Sequence, residues 1–173
     1  GRLVLHQRVL FGGQTVLHEG EGGITVVLWR GSLIAWMNPR GVKVYNVKSG
    51  QKVTFVPAPS RAKGSLTWIA DDQLAMSWGS CVKIALLLTS GDLQSAEVRH
   101  QFNAGDVTIH GMAPLGPGQL AAMESDANAR RTCLRFYSIN GDLFHEVEVP
   151  MSRGAFHSHM HLAAAAPQLP MYL

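Results

Sequence analysis

The fold is decided by residues 24–56, which read ITVVLWRGSLIAWMNPRGVKVYNVKSGQKVTFV. Four short apolar runs follow one another in this stretch, and turns that contain glycine separate them. In the third run, Val42 and Val44 alternate with Lys43 and Tyr45. Such alternation is typical of a β-strand with two unlike faces. The stretch therefore predicts four consecutive antiparallel strands.

Two further stretches, residues 65–85 and 108–147, repeat this order of strands and turns. Landmark residues recur at nearly constant spacing: 39 residues separate Trp29 from Trp68, 42 separate Trp36 from Trp78, and 40 separate Val44 from Ile84. A polar insert at residues 124–131 lengthens the third unit. Four short strands repeated about every 40–45 residues are the signature of β-propeller blades. We expect an all-β chain that forms a propeller of WD-repeat type.

The repeats account for about three blades plus flanking strands, whereas closed propellers have roughly four to eight. We therefore expect an incomplete ring, a fragment whose remaining blades lie elsewhere. The predicted limits within residues 1–173 are the end of a preceding blade, three blades, and a loop with the start of the next blade: 1–22, 23–59, 64–104, 105–150 and 151–173.

Composition narrows the class of protein. The chain contains fifteen Lys and Arg and twelve Asp and Glu, which gives a net charge of +3. Hydrophobic residues make up 46% of the chain. This balance argues against intrinsic disorder. The basic residues are scattered, so no nucleic-acid-binding stripe is predicted. No apolar run approaches the roughly 18 residues of a membrane helix. The two cysteines form no C-x-x-C pair and are expected to be buried thiols.

Several patterns could carry catalysis, and each has a simpler structural interpretation. The glycine-rich run at residues 19–23 precedes a strand, whereas a phosphate loop must lead into a helix. The adjacent Asp71 and Asp72 are typical of a β-turn. His100 and His110 flank Asp106 without a serine or cysteine nucleophile pattern, so we expect surface residues. No catalytic residue and no cofactor is predicted.

Histidines and repeated side chains suggest possible binding sites. His157, His159 and His161 alternate, and on a strand they would face one side and could hold Ni²⁺ or Zn²⁺ adventitiously. No physiological metal site is predicted there, because no acidic or cysteine ligand completes the set. The four tryptophans are expected to pack between blades rather than to form a ligand cage. Lys43 and Lys83 should occupy equivalent solvated positions, with a basic strip for an acidic partner as the alternative.

A family resemblance adds to this interpretation. The run FGGQTVLHEGEG at residues 11–22, followed by Trp29 and by LIAW at residues 33–36, resembles the amino-terminal propeller of the vacuolar protein sorting-associated protein 41 family. Further similar segments are GVKVY at 41–45, QKVTF at 51–55, and Trp78-Gly79 leading to VKIA at 82–85. The resemblance is dense over residues 10–85 and weaker beyond residue 98. Proteins of this family are subunits of the HOPS tethering complex.

The resemblance implies a non-catalytic protein-interaction module in vesicle transport and fusion at the late endosome, lysosome or vacuole. It implies other HOPS subunits as partners, together with a late-endosomal Rab GTPase and a vesicle adaptor coat. It also implies a cytoplasmic protein that associates peripherally with membranes through these partners. The alternatives are a scaffold propeller of another trafficking or ciliary complex and a propeller enzyme. The sequence does not assign partner-binding residues.

Overall fold

The computed structural model describes residues 1–7, 13–90, 93–126, 128 and 130–150. These residues form fourteen strands and, within the described ranges, no helix. A two-stranded hairpin comes first, with β1 at Arg2–Gln7 and β2 at Gly13–Glu19. Three four-stranded antiparallel sheets follow, each with its strands in chain order.

The strands of the three sheets have the following bounds. Sheet 1 contains β3 (Val26–Arg30), β4 (Leu33–Asn38), β5 (Gly41–Asn46) and β6 (Gln51–Pro57). Sheet 2 contains β7 (Gly64–Trp68), β8 (Gln73–Trp78), β9 (Cys81–Ser90) and β10 (Leu93–Asn103). Sheet 3 contains β11 (Thr108–Gly116), β12 (Gln119–Asp126), β13 (Arg131–Ser138) and β14 (Leu143–Glu148).

The sheets stand side by side, with the first strand of each nearest to its neighbours. Strand β7 contacts both β3 and β11, so the three first strands line a common centre. One core cluster joins sheet 1 to sheet 2, a second joins sheet 2 to sheet 3, and a third joins the hairpin to sheet 1. This is the arrangement of a β-propeller, and the described sheets do not close a ring. The predicted all-β, incomplete propeller is confirmed.

Strands end where side chains in the turns accept hydrogen bonds from backbone amides. The side-chain oxygen of Asn38 accepts hydrogen bonds from the amides of Arg40, at 2.8 Å, and Gly41, at 3.1 Å. Gly41 has φ +148°, a value that L residues rarely adopt. Glycine is therefore the residue that suits this position of the turn.

The Asn140-Gly141 turn differs from the tight type I′ turn that this dipeptide favours. Only Gly141 has a positive φ, and four residues separate β13 from β14. The cause is Ser138, whose hydroxyl oxygen accepts hydrogen bonds from the amides of Asn140 and Asp142 and donates to the Asp142 carboxylate. This local network replaces the two-residue turn.

The strand registers correct part of the tryptophan pattern. Trp29 pairs with Ile34 and Trp68 pairs with Leu74, so these two tryptophans are equivalent, as their spacing predicts. Trp36 lies opposite Lys43, whereas the residue opposite Lys83 is Met76. Trp36 and Trp78 are therefore not equivalent. The residue equivalent to Trp36 is Met76, 40 residues later, and Trp78 lies two positions beyond it on the same strand. Residues two positions apart in a strand point to the same face, so the 42-residue spacing of the two tryptophans looked like a repeat.

The predicted burial of all four tryptophans is wrong for one of them. Trp36, Trp68 and Trp78 are buried, but the Trp29 side chain is 59% exposed. Trp68 packs against sheet 1, which covers it. Trp29 faces the side of sheet 1 on which, among the described elements, only the narrow hairpin lies, and the hairpin core contacts Ile34 and Trp36 instead. Whether Trp29 is buried therefore depends on the element that packs on this face of sheet 1, and the sequence of β3 does not determine that element.

Candidate functional site

A groove of about 690 Å³ opens between the hairpin and the outer strands of sheet 1. We call it the hairpin groove. Strand β2 forms one wall with Val16 and Glu19, and strands β5 and β6 form the other with Lys43, Tyr45, Lys52 and Phe55. Concave sites that combine apolar surface with a few polar groups are the usual places for binding. The hairpin groove is therefore the candidate functional site.

The alternation of β5 decides which side chains enter the groove. Val42 and Val44 are fully buried on the opposite face, where they pack in the core shared with sheet 2. Lys43 and Tyr45 consequently point toward the hairpin and line the groove. The expected separation of the lysine from the valines is confirmed, although Lys43 is only partly exposed rather than fully solvated.

Glu21 is the electrostatic centre of the inner end of the groove. Its carboxylate accepts a hydrogen bond from the Lys43 ammonium and lies 3.9 Å from Arg40 Nη1. The hydrogen bond from Lys43 is the main cause that holds the pKa of Glu21 below its usual value. His18 lies beside this pair, where its Nε2 donates to the Gly22 carbonyl at 3.1 Å and its Nδ1 accepts from Asn38 at 3.4 Å. The inner end is therefore internally compensated.

The outer end of the groove has a different charge pattern. Glu19 forms a 3.6 Å ion pair with Arg2. Lys52 is exposed, and among the described residues no carboxylate lies within 4 Å of its ammonium. Beside it, Phe55 is 48% exposed and Val16 44% exposed, although both are large apolar side chains. An uncompensated cation next to exposed apolar surface suits an incoming partner.

The Lys43–Glu21 pair makes a testable contribution to acid stability. The pKa of Glu21 is lowered in the folded state, so this group stabilises the fold above its unfolded pKa, and the stabilisation is lost as pH falls through the folded value. We expect Lys43→Met to reduce the difference between the melting temperatures measured at about pH 6 and about pH 3. Lys48→Met removes an exposed lysine outside the groove and should keep the full difference. An unchanged difference in Lys43→Met would show that the pair has no such role.

A cation occupies the same position in the third strand of every sheet. Lys43 lies opposite Trp36, Lys83 opposite Met76, and Arg135 opposite Ala122. The sequence correctly predicts that the two lysines are equivalent. Sequence analysis did not identify Arg135 as the third member of this set. The signal was its place directly before the apolar Phe136, just as Lys43 comes directly before Val44. Lys43 meets Glu21, Lys83 lies 5.9 Å from the Trp78 ring centroid, and Arg135 meets two glutamates. Each cation is already paired within the chain, which argues against a basic strip for an acidic partner.

The polar insert of the third unit contributes to an ion network that sequence analysis did not find. Strand β12 runs on through Asp126, so the insert lengthens the β12–β13 hairpin. Arg135 Nη1 lies 3.0 Å from Glu124, and Arg135 Nε lies 2.6 Å from Glu146. Burial raises the pKa of Glu124, whereas the hydrogen bond from Arg135 lowers the pKa of Glu146. The network ties β12, β13 and β14 together.

The two cysteines are free thiols, as expected, but only one of them is buried as predicted, because Cys81 is partly exposed. Cys133 is buried, and its Sγ lies 3.6 Å from Glu146 Oε1. Burial is the main cause that raises the pKa of the Cys133 thiol. Because the thiolate is the reactive form, a raised pKa opposes a nucleophilic role for Cys133.

The other candidate residues from the sequence do not form one site. His110 Nε2 lies 2.7 Å from the Ser125 hydroxyl on the edge of sheet 3. Asp106 is exposed in the connection that precedes β11, and His100 lies on β10. Within the described part of the chain, no cluster of three or more His, Cys, Asp or Glu side chains could hold a metal ion.

Other residues that the sequence offered as functional candidates lie in turns or connections, or outside the described residues. Asp71 lies in the β7–β8 turn, where its carboxylate is 2.6 Å from Arg30 Nη2, and Asp72 is exposed beside it. The glycine-rich residues 19–23 lead into β3 rather than into a helix. His157, His159 and His161, with the whole of residues 151–173, lie outside the described residues. The described part of the chain contains no helix that is long and apolar enough to span a membrane.

The family model and the curated relatives agree on one family. The Vps41 β-propeller family model, described as "Vps42 beta-propeller", matches residues 1–132. The vacuolar protein sorting-associated protein 41 homolog of Arabidopsis thaliana is 38% identical over 136 residues, which cover 67% of this chain and 14% of the relative. The Homo sapiens homolog is 40% identical over 113 residues, which cover 58% of this chain and 13% of the relative.

The match is to a small part of these relatives. The chain spans between 10% and 14% of the length of the curated relatives it matches. A solved structure of Kluyvelomyces marxianus Hsv2 aligns with 82% of this chain and 53% of its own, at 11% identity and a TM-score of 0.35. The assignment does not depend on that alignment, because the family model alone covers most of the sequence. The chain belongs to the Vps41 β-propeller family.

Proposed function

We propose that the chain is a non-catalytic protein-interaction module of a HOPS-type tethering subunit. In this role it takes part in vesicle transport and fusion at the late endosome, lysosome or vacuole. The observation that carries the proposal is the family match over residues 1–132, together with relatives that are named vacuolar protein sorting-associated protein 41 homologs. The blades are proposed to span residues 23–59, 64–104 and 105–150.

The architecture supports a geometric rather than a chemical mechanism. Interlocked cores between consecutive sheets hold the strands rigidly, so loops and grooves keep fixed positions relative to one another. Binding surfaces that are held in advance lose little conformational entropy when a partner docks. The proposed partners are other HOPS subunits, a late-endosomal Rab GTPase and a vesicle adaptor coat. Association with the late endosomal, lysosomal or vacuolar membrane is proposed to be peripheral and to occur through them.

Affinity purification of the tagged chain from its own cells, followed by mass spectrometry, tests this function. We expect recovery of the HOPS core subunits, and we expect this recovery to fall in the Gly41→Val variant, whose fold is destabilised. The Gly23→Val variant places the same side chain in open space and should recover them normally. Recovery of another trafficking or ciliary complex without HOPS subunits would contradict the proposal. Hydrolase turnover that disappears in His110→Ala would contradict it as well.

A further inference from the structure

We propose that the hairpin groove binds an extended peptide segment of a partner protein, in which an acidic residue lies two positions from a bulky apolar residue. This inference rests on the proposed interaction function and names the chemistry of one partner. It assigns Lys52 to the acidic residue, and it assigns Phe55 and Val16 to the apolar residue.

The strands that border the groove favour an extended partner. Strand β6 is the last strand of sheet 1 and pairs only with β5, and β2 pairs only with β1 among the described strands. Each therefore has one side along which no described strand pairs with its backbone, although β6 also contacts β10. Extended peptides bind such edges by continuing the ladder of backbone hydrogen bonds. The unpaired backbone groups of β2 and β6 therefore favour an extended partner segment, whatever its side chains.

The charges in the groove select an acidic residue. Glu21 is compensated by Lys43 and Glu19 by Arg2, whereas Lys52 has no carboxylate partner among the described side chains. A single carboxylate from the partner would complete the pairing of charges. A phosphorylated lipid headgroup fits less well, because its several negative charges would also face Glu19 and Glu21. A peptide carboxylate is therefore favoured over a membrane surface.

The spacing of the side chains selects the apolar residue. A bulge in β6 lies between Lys52 and Phe55. These two residues oppose Tyr45 and Lys43, which are two residues, or about 7 Å, apart on β5. Phe55 and Val16 remain about half exposed on opposite walls of the groove. An apolar side chain inserted between them would remove both surfaces from water, which is favourable. The partner residue that contacts Phe55 thus lies two positions from the one that contacts Lys52, on the same face of the extended segment.

Fluorescence anisotropy with defined peptides tests the inference on the purified full chain. The probe is a fluorescein-labelled ten-residue peptide in which every second residue is serine and the residues between are alternately leucine and glutamate. Leucine and glutamate then lie two positions apart, on the same face of an extended strand. Two control peptides replace glutamate by lysine or leucine by serine. We expect the leucine–glutamate peptide to bind more tightly than either control. Lys52→Glu should weaken its binding at least about tenfold, and Phe55→Ser should weaken it about fivefold.

A charge exchange separates a direct contact from a structural effect. Lys52→Glu should gain affinity for the leucine–lysine peptide, which a merely misfolded variant would not do. Lys48→Glu makes the same charge change in the β5–β6 turn, outside the groove lining, and should bind the leucine–glutamate peptide like the unmodified chain. Equal effects of Lys48→Glu and Lys52→Glu would overturn the inference, because the groove would not be the binding site.

Two further outcomes complete the test. Lys52-dependent binding to phosphatidylserine-containing vesicles, without binding to the leucine–glutamate peptide, would show that the groove recognises a membrane and would overturn the peptide assignment. Failure of the peptide to bind would also overturn it. Recovery of HOPS subunits in the purification experiment would still support the proposed function in both cases. The two proposals therefore fail on different observations.

Discussion

Replacing Gly41 by valine is expected to destabilise the chain by about 2–6 kcal/mol, which combines backbone strain with overpacking. Gly41 has φ +148°, and a Cβ atom added there would lie 2.2 Å from the Val56 carbonyl oxygen and 3.0 Å from the Ala58 amide nitrogen. Both neighbours are backbone atoms, so the clash can be relieved only by moving the β5–β6 ladder. Thermal unfolding followed by circular dichroism should show a melting temperature that is lower by roughly 10 °C.

The matched control for this substitution is Gly23→Val. Gly23 has an ordinary φ, and an added Cβ would meet no atom within 4 Å. A surface substitution of this kind should change stability by no more than about 0.5 kcal/mol. Equal melting temperatures for the two variants would contradict the close approach of β5 and β6 at Gly41.

The second large effect is expected for Trp68→Ala, which should cost about 3–5 kcal/mol in the free energy of unfolding. Trp68 is buried between sheet 1 and sheet 2, and its removal leaves a cavity in the core that joins them. Trp29→Ala, at the equivalent position of sheet 1, should cost less than about 1 kcal/mol, because that side chain is mostly exposed. Chemical denaturation of both variants measures the difference.

The comparison of the two tryptophans is informative because their strands have the same register. If the two substitutions cost the same, the hairpin side of sheet 1 would have to be covered as fully as the interface between sheets 1 and 2. The packing described here would then be wrong. A large effect for Trp68 with a small one for Trp29 supports it.

Local sequence patterns predicted the elements of the fold well. The alternation in residues 42–45 correctly separated the buried valines from Lys43 and Tyr45, because side-chain direction in a strand depends only on position parity. The 39- and 40-residue spacings identified truly equivalent positions in sheets 1 and 2.

Features that depend on contacts distant in sequence were not predictable in the same way. Trp29 and Trp68 lie in strands with the same kind of apolar pattern. Trp29 is exposed and Trp68 is buried because different elements pack against their sheets. The hairpin groove exists because a two-stranded hairpin covers only part of a four-stranded sheet. The partners of Glu124 lie on β13, whose register across the polar insert is not fixed by a local repeat.

An experimental density map of the full chain at side-chain resolution tests the central claim most directly. The account predicts three four-stranded sheets around one centre, with β7 between β3 and β11, and with Lys43, Lys83 and Arg135 at the same position of successive third strands. Two sheets stacked face to face as a sandwich, or these three cations at unrelated positions, would contradict it.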